Sequence, residues 1–394
     1  MLLFGMLFLV PGRASAQGPR DEASTGSGVA VGAATEVSAY GDSDHVGVVT
    51  PEASISVTSP STGWSGSGSY LVDVISAASV DIVSTASQNW HEVRHAGNVS
   101  VGYKPHDFGV QLAGAISSEP DYLSLTGGGT LTLDFDQKNY TALFGYAYGH
   151  DTAGVTGTPF SVFSLKLARH SFNAGLDIPL DRSTLLVLIG DLVIESGDQS
   201  KPYRYIPMFA PDVAPTIPNG LNVDRVNTLR LPERPREQLP LNRERASLTA
   251  RIAHHMGSGT VRASERLYGD SWGLKASTTD ARYLFQVGRR FLFGPHVRGH
   301  FQSAVSFWKR AYVSHYDPNG KWTVPRYRTG DRELGPMAAF TLGGSAAYYF
   351  GHAPLDRAWH LSLDLEGLQD LYFDDLYMTS RVGGLSALNF GGTF

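Results

Sequence analysis

Three groups of residues have types and spacings that could do chemistry. His91-Glu92-Val93-Arg94-His95 has the HExxH order of a zinc hydrolase, and Glu119 lies downstream where a third ligand would sit. That motif works on a helix, where residues four apart share one face and both imidazoles reach a single ion. The surrounding residues alternate as a strand does. Strand spacing sets the two histidines about 13 Å apart at roughly 3.3 Å per residue and turns Glu92 to the other face. One ion cannot bridge them, so neither a metal centre nor a cofactor is expected. Gly269-Asp270-Ser271 is similar to the serine motif of some lipases. A nucleophilic serine needs a base within hydrogen-bond reach. His254, His255, His296 and His300 lie on neighbouring expected strands, but no local pattern brings one to Ser271. The serine reads as a turn or lumen residue, and no catalytic residue is assigned.

The third group is a basic wall. Residues 201–310 carry 18 Lys+Arg against eight Asp+Glu, while the whole chain has a net charge of −5. Alternation places Arg243, Arg245, Arg251, Arg262, Arg266, Arg282, Arg290, Arg298, His296 and His300 on the polar side of their strands. In the last of these strands the opposite parity is Val297, Phe301, Val305 and Phe307. Such a wall would attract a small anionic solute, or would pair with Asp134, Asp136, Asp364 and Glu366 to fill an interior. Beside it, residues 199–241 hold eight of the 21 prolines. Proline has no backbone donor, so this segment cannot continue a sheet. Tyr203, Arg204, Tyr205, Arg234 and Arg236 make it a candidate constriction or plug; covering a mouth and remaining a plain surface loop are the alternatives.

These residues need elements to position them, and period-two strands are the prevailing pattern. Leu131, Leu133 and Phe135 alternate with Thr130, Thr132, Asp134 and Asp136. Leu361, Leu363 and Leu365 alternate with His360, Ser362, Asp364 and Glu366. Such strands are wet on one face and oily on the other. The expected strands are 28–40, 45–58, 67–77, 90–104, 107–118, 122–135, 138–149, 161–178, 183–197, 242–256, 259–272, 280–293, 296–308, 335–350, 357–369 and 376–394. Short connections follow the even-numbered strands: Pro105-His106, Gln137, Asp181-Arg182, Gly257-Ser258 and Gly294-Pro295. The long ones, 78–89, 150–160, 198–241 and 309–334, follow odd-numbered strands. A transmembrane barrel sorts its loops in this way, and a soluble sandwich has no reason to. The fold expected is all-β: one transmembrane antiparallel barrel of about 16 strands with one long proline-rich loop.

Length and composition agree. The chain has 394 residues, 42% hydrophobic, 18% charged, with 44 glycines and no cysteine. Absence of cysteine excludes disulfides, thiolate zinc sites and thiol nucleophiles. Met1 to Val10 is apolar, Pro11 and Gly12 break it, and Ala14-Ser15-Ala16 is a small-x-small cleavage site. Residues 1–16 therefore read as an export signal, 17–27 as a flexible periplasmic lead-in and 28–394 as the barrel. Export and a barrel imply the bacterial outer membrane, with its lipid as a partner and nucleic acid excluded. The chain ends Leu388-Asn389-Phe390-Gly391-Gly392-Thr393-Phe394. This terminus resembles the strand signal by which the barrel assembly machinery recognises its clients.

Several segments together carry a family resemblance: Tyr70 to Ser79, Glu119 to Ser124, Lys138 to Thr141, Ser200 to Phe209, Leu231 to Pro235 and Tyr268 to Lys275. They resemble an uncharacterised family of bacterial outer-membrane barrel proteins, known mainly as a domain of unknown function, over about residues 29–394. The resemblance implies a barrel and an outer-membrane location, not an activity. Three functions follow as expectations: a channel or solute transporter whose arginine wall favours anions, a closed barrel docking a periplasmic or surface partner, and, third, an outer-membrane hydrolase.

Overall fold

The computed structural model describes residues 28–77, 90–317, 320–351 and 359–394. The expected export signal and lead-in, and the 78–89 connection, lie outside these residues. No described helix is long and apolar enough to cross a membrane.

Sixteen antiparallel strands close into one barrel. In chain order they are β1 (Ala30–Asp42), β2 (Val46–Ser59), β3 (Trp64–Ala77), β4 (Trp90–Tyr103), β5 (Phe108–Glu119), β6 (Tyr122–Phe135), β7 (Tyr140–Ala153), β8 (Leu165–Pro179) and β9 (Thr184–Gly197). After the short β10 (Met208–Phe209), the wall continues as β11 (Asn242–Met256), β12 (Gly259–Asp270), β13 (Lys275–Val287) and β14 (Phe291–Gln302). Three further short strands follow, β15 (Tyr312–Val313), β16 (His315–Tyr316) and β17 (Trp322–Thr323). The wall is completed by β18 (Met337–Tyr349), β19 (His360–Tyr372) and β20 (Ser380–Thr393), which pairs with β1. Closure leaves no free edge, so every wall strand has a ladder partner on both sides.

Closure also fixes which face of each strand is outside. On β19 the outer residues are Leu361, Leu363 and Leu365, and the inner ones His360, Ser362, Asp364 and Glu366. On β6, Leu131, Leu133 and Phe135 are outer, while Thr130, Thr132 and Asp134 are inner. Leu112 is 65% exposed and Leu342 70%, and exposed apolar side chains encircle the whole sheet. A soluble monomer rarely exposes an apolar patch above a few hundred Å². A strand of 14 residues at about 3.3 Å each, tilted about 40°, stands roughly 35 Å tall, enough to cross a hydrocarbon layer. At the end where β1 begins and β20 finishes, outer aromatics gather. Trp359 stacks on Phe390 at 5.1 Å, and Phe135 stacks on Tyr140 at 5.4 Å.

That end carries the tight turns, including Gly257 and Gly288 in the left-handed region that glycine adopts freely. The opposite end carries the connections 154–164, 198–241 and 303–336, as the parity of loop lengths implies.

Two strands run differently from their expected phase. The sequence predicts strands 280–293 and 296–308 joined at Gly294-Pro295; the strands are Lys275–Val287 and Phe291–Gln302, joined at 288–290. Pro295 lies inside β14 because the β13–β14 ladder skips Tyr283 and Leu284, so its missing donor leaves no broken bond. Arg290, expected in the lumen, therefore sits in the turn, where it donates 3.0 Å to the hydroxyl of the outward Tyr348. Val305 and Phe307, expected on the lipid side, lie beyond the strand. Val305 is buried against Leu239, Trp272, Leu274, Trp308 and Leu334, and Phe307 packs on that cluster.

Candidate functional site

The inner face of β11 to β14 bears the arginine wall. Arg243, Arg245 and Arg251 alternate on β11 with outward Ala246, Leu248, Ala250 and Ile252. Arg262 and Arg266 on β12, Arg282 on β13, and His296, Arg298 and His300 on β14 share that inner face, as the cross-strand registers require. Arginines near the loop end are paired. Arg243 donates to Asp270 and stacks over Trp272 at 4.3 Å, and Arg245 forks onto Glu195. Arg266 donates 3.2 Å to Ser247, whose hydroxyl donates 2.9 Å to Asp191.

Nearer mid-height the pattern changes. Arg262 stands directly across from Arg282 in the β12–β13 register. Arg282 lies 3.8 Å from Glu366. His296 bridges Asp280 at 2.9 Å and Glu366 at 2.8 Å, and His300 bonds Thr278 and Gln302. Arg251, Arg262 and Arg298 are exposed to the lumen and have no ion pair or hydrogen bond among the described residues. Like charges placed directly opposite on a strand pair destabilise it by roughly 0.2–1 kcal/mol. Four strands in succession thus present guanidinium groups whose charge nearby carboxylates balance only in part. Another part of the lumen is acidic: Glu36 stands across from Glu52 on β1–β2, and Asp364 faces inward from β19.

The segments 198–241 and 303–336 form a cap at the loop end. β10 pairs with β15 in parallel. Around that pair Ile206, Met208 and Tyr312 are buried, and Phe209 packs with Ala214, Ile217, Val226 and Leu376. The helix Val223–Leu229 is capped by Asn222, whose side chain accepts from the Arg225 amide. The cap is tied to the rim of the barrel. Arg332, 2% exposed, donates 2.7 Å to Asp44 in the β1–β2 turn. Gln302 donates to the carbonyls of Glu333 and Gly335, and Asn219 to the carbonyl of Tyr372.

Each loop residue singled out from the sequence has a definite place there. Arg204 is buried between Glu237 at 3.0 Å and Asp331 at 2.9 Å. Desolvation opposes ionisation of Asp331, but Arg204 beside it holds its carboxyl below the usual range. Burial pushes the Lys201 ammonium down from its ordinary value. The Tyr203 hydroxyl donates 2.6 Å to Asp121. Tyr205 and Arg236 form a bridge with the guanidinium 5.9 Å over the ring, and Arg234 is half-buried in the same stretch.

The two enzyme-like motifs fall apart. On β4, Glu92 is buried inward and His95 is exposed on the outer face, so strand geometry splits the motif between two faces; the His91 side chain lies outside the described residues. Ser271 Oγ accepts from the Glu244 amide at 2.9 Å, which makes it a turn residue.

Two features escaped the sequence reading. Asp73 pairs with Arg94, and Asp151 takes bonds from Ser124 and Arg169 at 2.6 and 2.9 Å. Strand parity puts Asp73 and Arg94 on inner faces, but register alone decides that they meet. The 303–336 half of the cap also escaped, because it lacks the proline density that marked 198–241.

A closed antiparallel sheet with an oily exterior and a polar, charged lumen defines this molecule as a β-barrel of the transmembrane class. Its sequence matches the family described as "Protein of unknown function (DUF3570)" over residues 25–177 and 169–393, and the chain belongs to that family. No curated protein matches the sequence. Among solved structures, a bacterial polysaccharide outer membrane secretin aligns at 8% identity and a TM-score of 0.45, covering 93% of this chain and 99% of that one. OccK7 (OpdD) of Pseudomonas aeruginosa aligns at 9% identity and a TM-score of 0.44, covering 93% and 98%. The toluene transporter TodX of P. putida aligns at 10% and 0.37, covering 93% and 89%. The barrel rests on the chain's own closed sheet.

Proposed function

We propose that the protein is a bacterial outer-membrane channel that passes small anionic solutes along the arginine wall. The observation that carries this is the group Arg251, Arg262 and Arg298, exposed in the lumen without partners among the described residues, with Arg262 set against Arg282. A guanidinium keeps its charge at any working pH, so an anion entering between Arg262 and Arg282 relieves their repulsion and is drawn inward. The carboxylates of β1, β2 and β19 limit the preference to a modest one and spread a field across the lumen. The lipid-facing belt fits an outer membrane. The test is conductance of the purified protein in planar bilayers, for the wild type and for Arg262→Glu with Arg298→Glu. The double variant should shift selectivity toward cations at similar conductance. An unchanged selectivity would remove the wall from the mechanism.

A second reading has its own observation. The cap spans the loop end and is fixed by buried ion pairs, as a closed barrel that docks a partner would require. Conductance that appears only when the cap is loosened would favour it.

A further inference from the structure

Away from the arginine wall, three carboxylates converge at the loop end of the barrel. Glu92 points inward from β4, Glu119 closes β5 and Asp121 lies in the turn that follows. The β4–β5 register pairs His95 with Ser118, and carried on it sets Glu92 across from Asp121. One oxygen of each acid lies within 4.8 Å of the other two. Glu92 is 6% exposed, and its Oε2 is shut off from water with no hydrogen-bond partner among the described residues. A buried acceptor left without a donor needs a partner from elsewhere. Asp121 is held in place by its neighbours: its Oδ2 accepts from the Tyr203 hydroxyl at 2.6 Å and from Thr156 at 3.0 Å.

Cations of the chain offset only part of the group. Arg94, which also bonds Asp73, and Lys201 of the cap both favour the charged form of Glu119, and Glu92 stands farther from them. Three acids this close need either shared protons or a cation among them. An oxygen shielded from water and given no donor is the arrangement a cation resolves. The donors are all hard oxygens. Calcium takes six to eight of these at about 2.3–2.6 Å, so ligands on opposite sides of one ion stand up to about 5 Å apart, which matches the spread here. Magnesium keeps several waters and seldom accepts an all-carboxylate cage. We propose that Glu92, Glu119 and Asp121 bind a divalent cation of the calcium class, tying the loop ends of β4 and β5 to the cap through Tyr203.

The test uses the full chain in detergent micelles, stripped by a chelator and titrated calorimetrically with calcium chloride, then with magnesium chloride. The expected result is one calcium per chain, at least tenfold weaker binding in Glu92→Gln and in Asp121→Asn, and weaker binding of magnesium throughout. Tyr203→Phe keeps all three acids. It should bind calcium as the wild type does, yet lose the calcium-dependent slowing of hydrogen exchange at residues 201–205, which guards against variants that fail to fold. No saturable calcium binding by the wild type, binding unchanged in both acid variants, or equal affinity for magnesium would each overturn the assignment.

Discussion

Two guanidinium groups facing each other across a strand pair form a local fault that only function or an unseen counter-ion justifies. Arg262 and Arg282 are such a pair, and the nearest acid, Glu366, is shared with His296. Replacing Arg282 with serine should relieve the repulsion, leave stability equal or slightly higher, and reduce anion preference. A thermal shift assay together with a selectivity measurement checks both halves; a loss of stability would mean that Arg282 is structural filler. In the cap the sign is opposite. Arg204, Glu237 and Asp331 form a buried ion group, and removing Arg204 leaves Lys201 as the cation beside the two acids, at a cost of up to about 3–5 kcal/mol. Arg204→Ala should therefore free residues 201–239 to hydrogen exchange while the wall stays protected. The carboxyl of Asp331 titrates lower in the folded chain than in the unfolded one. Its contribution is complete above the unfolded value, near pH 4, and is lost as pH falls through the folded value. Cap protection, corrected for the intrinsic exchange rate, should fall below about pH 4 as Asp331 protonates; Glu333, whose carboxyl burial and Asp331 push up to about 7, loosens the cap separately as pH rises from about 4 toward 7.

Strand parity made the inner side of Arg243, Arg251 and Arg262 readable from sequence, because one oily neighbour on each strand fixes the phase of all the others. It failed for Arg290, Val305 and Phe307. A proline beside a glycine at 294–295 marks a turn locally, yet the real turn at 288–290 is marked only by Gly288 and two arginines. The competing fact was tertiary: the ladder gap opposite Pro295 lets it stay within a strand. Restoring a donor there should be mild, and Pro295→Thr is expected to leave the barrel folded with a melting temperature within a few degrees of the wild type. The cap was half legible. Its first half announced itself by prolines, while the second half became part of it only through the β10–β15 pairing between residues about a hundred positions apart. Replacing 201–239 with a short flexible linker should raise conductance if the cap restricts the lumen. Unchanged conductance would show that the cap does not lie in the path.

At the scale of the whole molecule, the exterior decides the environment and the interior decides the traffic. Apolar side chains on the outer face of the sixteen strands cannot be hidden by any loop, so the chain should remain with membranes and require detergent once extracted. In detergent it should show the heat-dependent shift in gel mobility of a closed barrel. The interior carries the proposal, in which Arg251, Arg262 and Arg298, unpaired among the described residues, bias which ions pass. The measurement that tests this most directly is the zero-current potential of the wild-type protein in a planar bilayer between unequal potassium chloride solutions. The account predicts a potential of the sign set by chloride, diminished when Arg251, Arg262 and Arg298 are replaced by serine. A potential of the sign set by potassium, or a bilayer that stays silent with the cap removed, would contradict it.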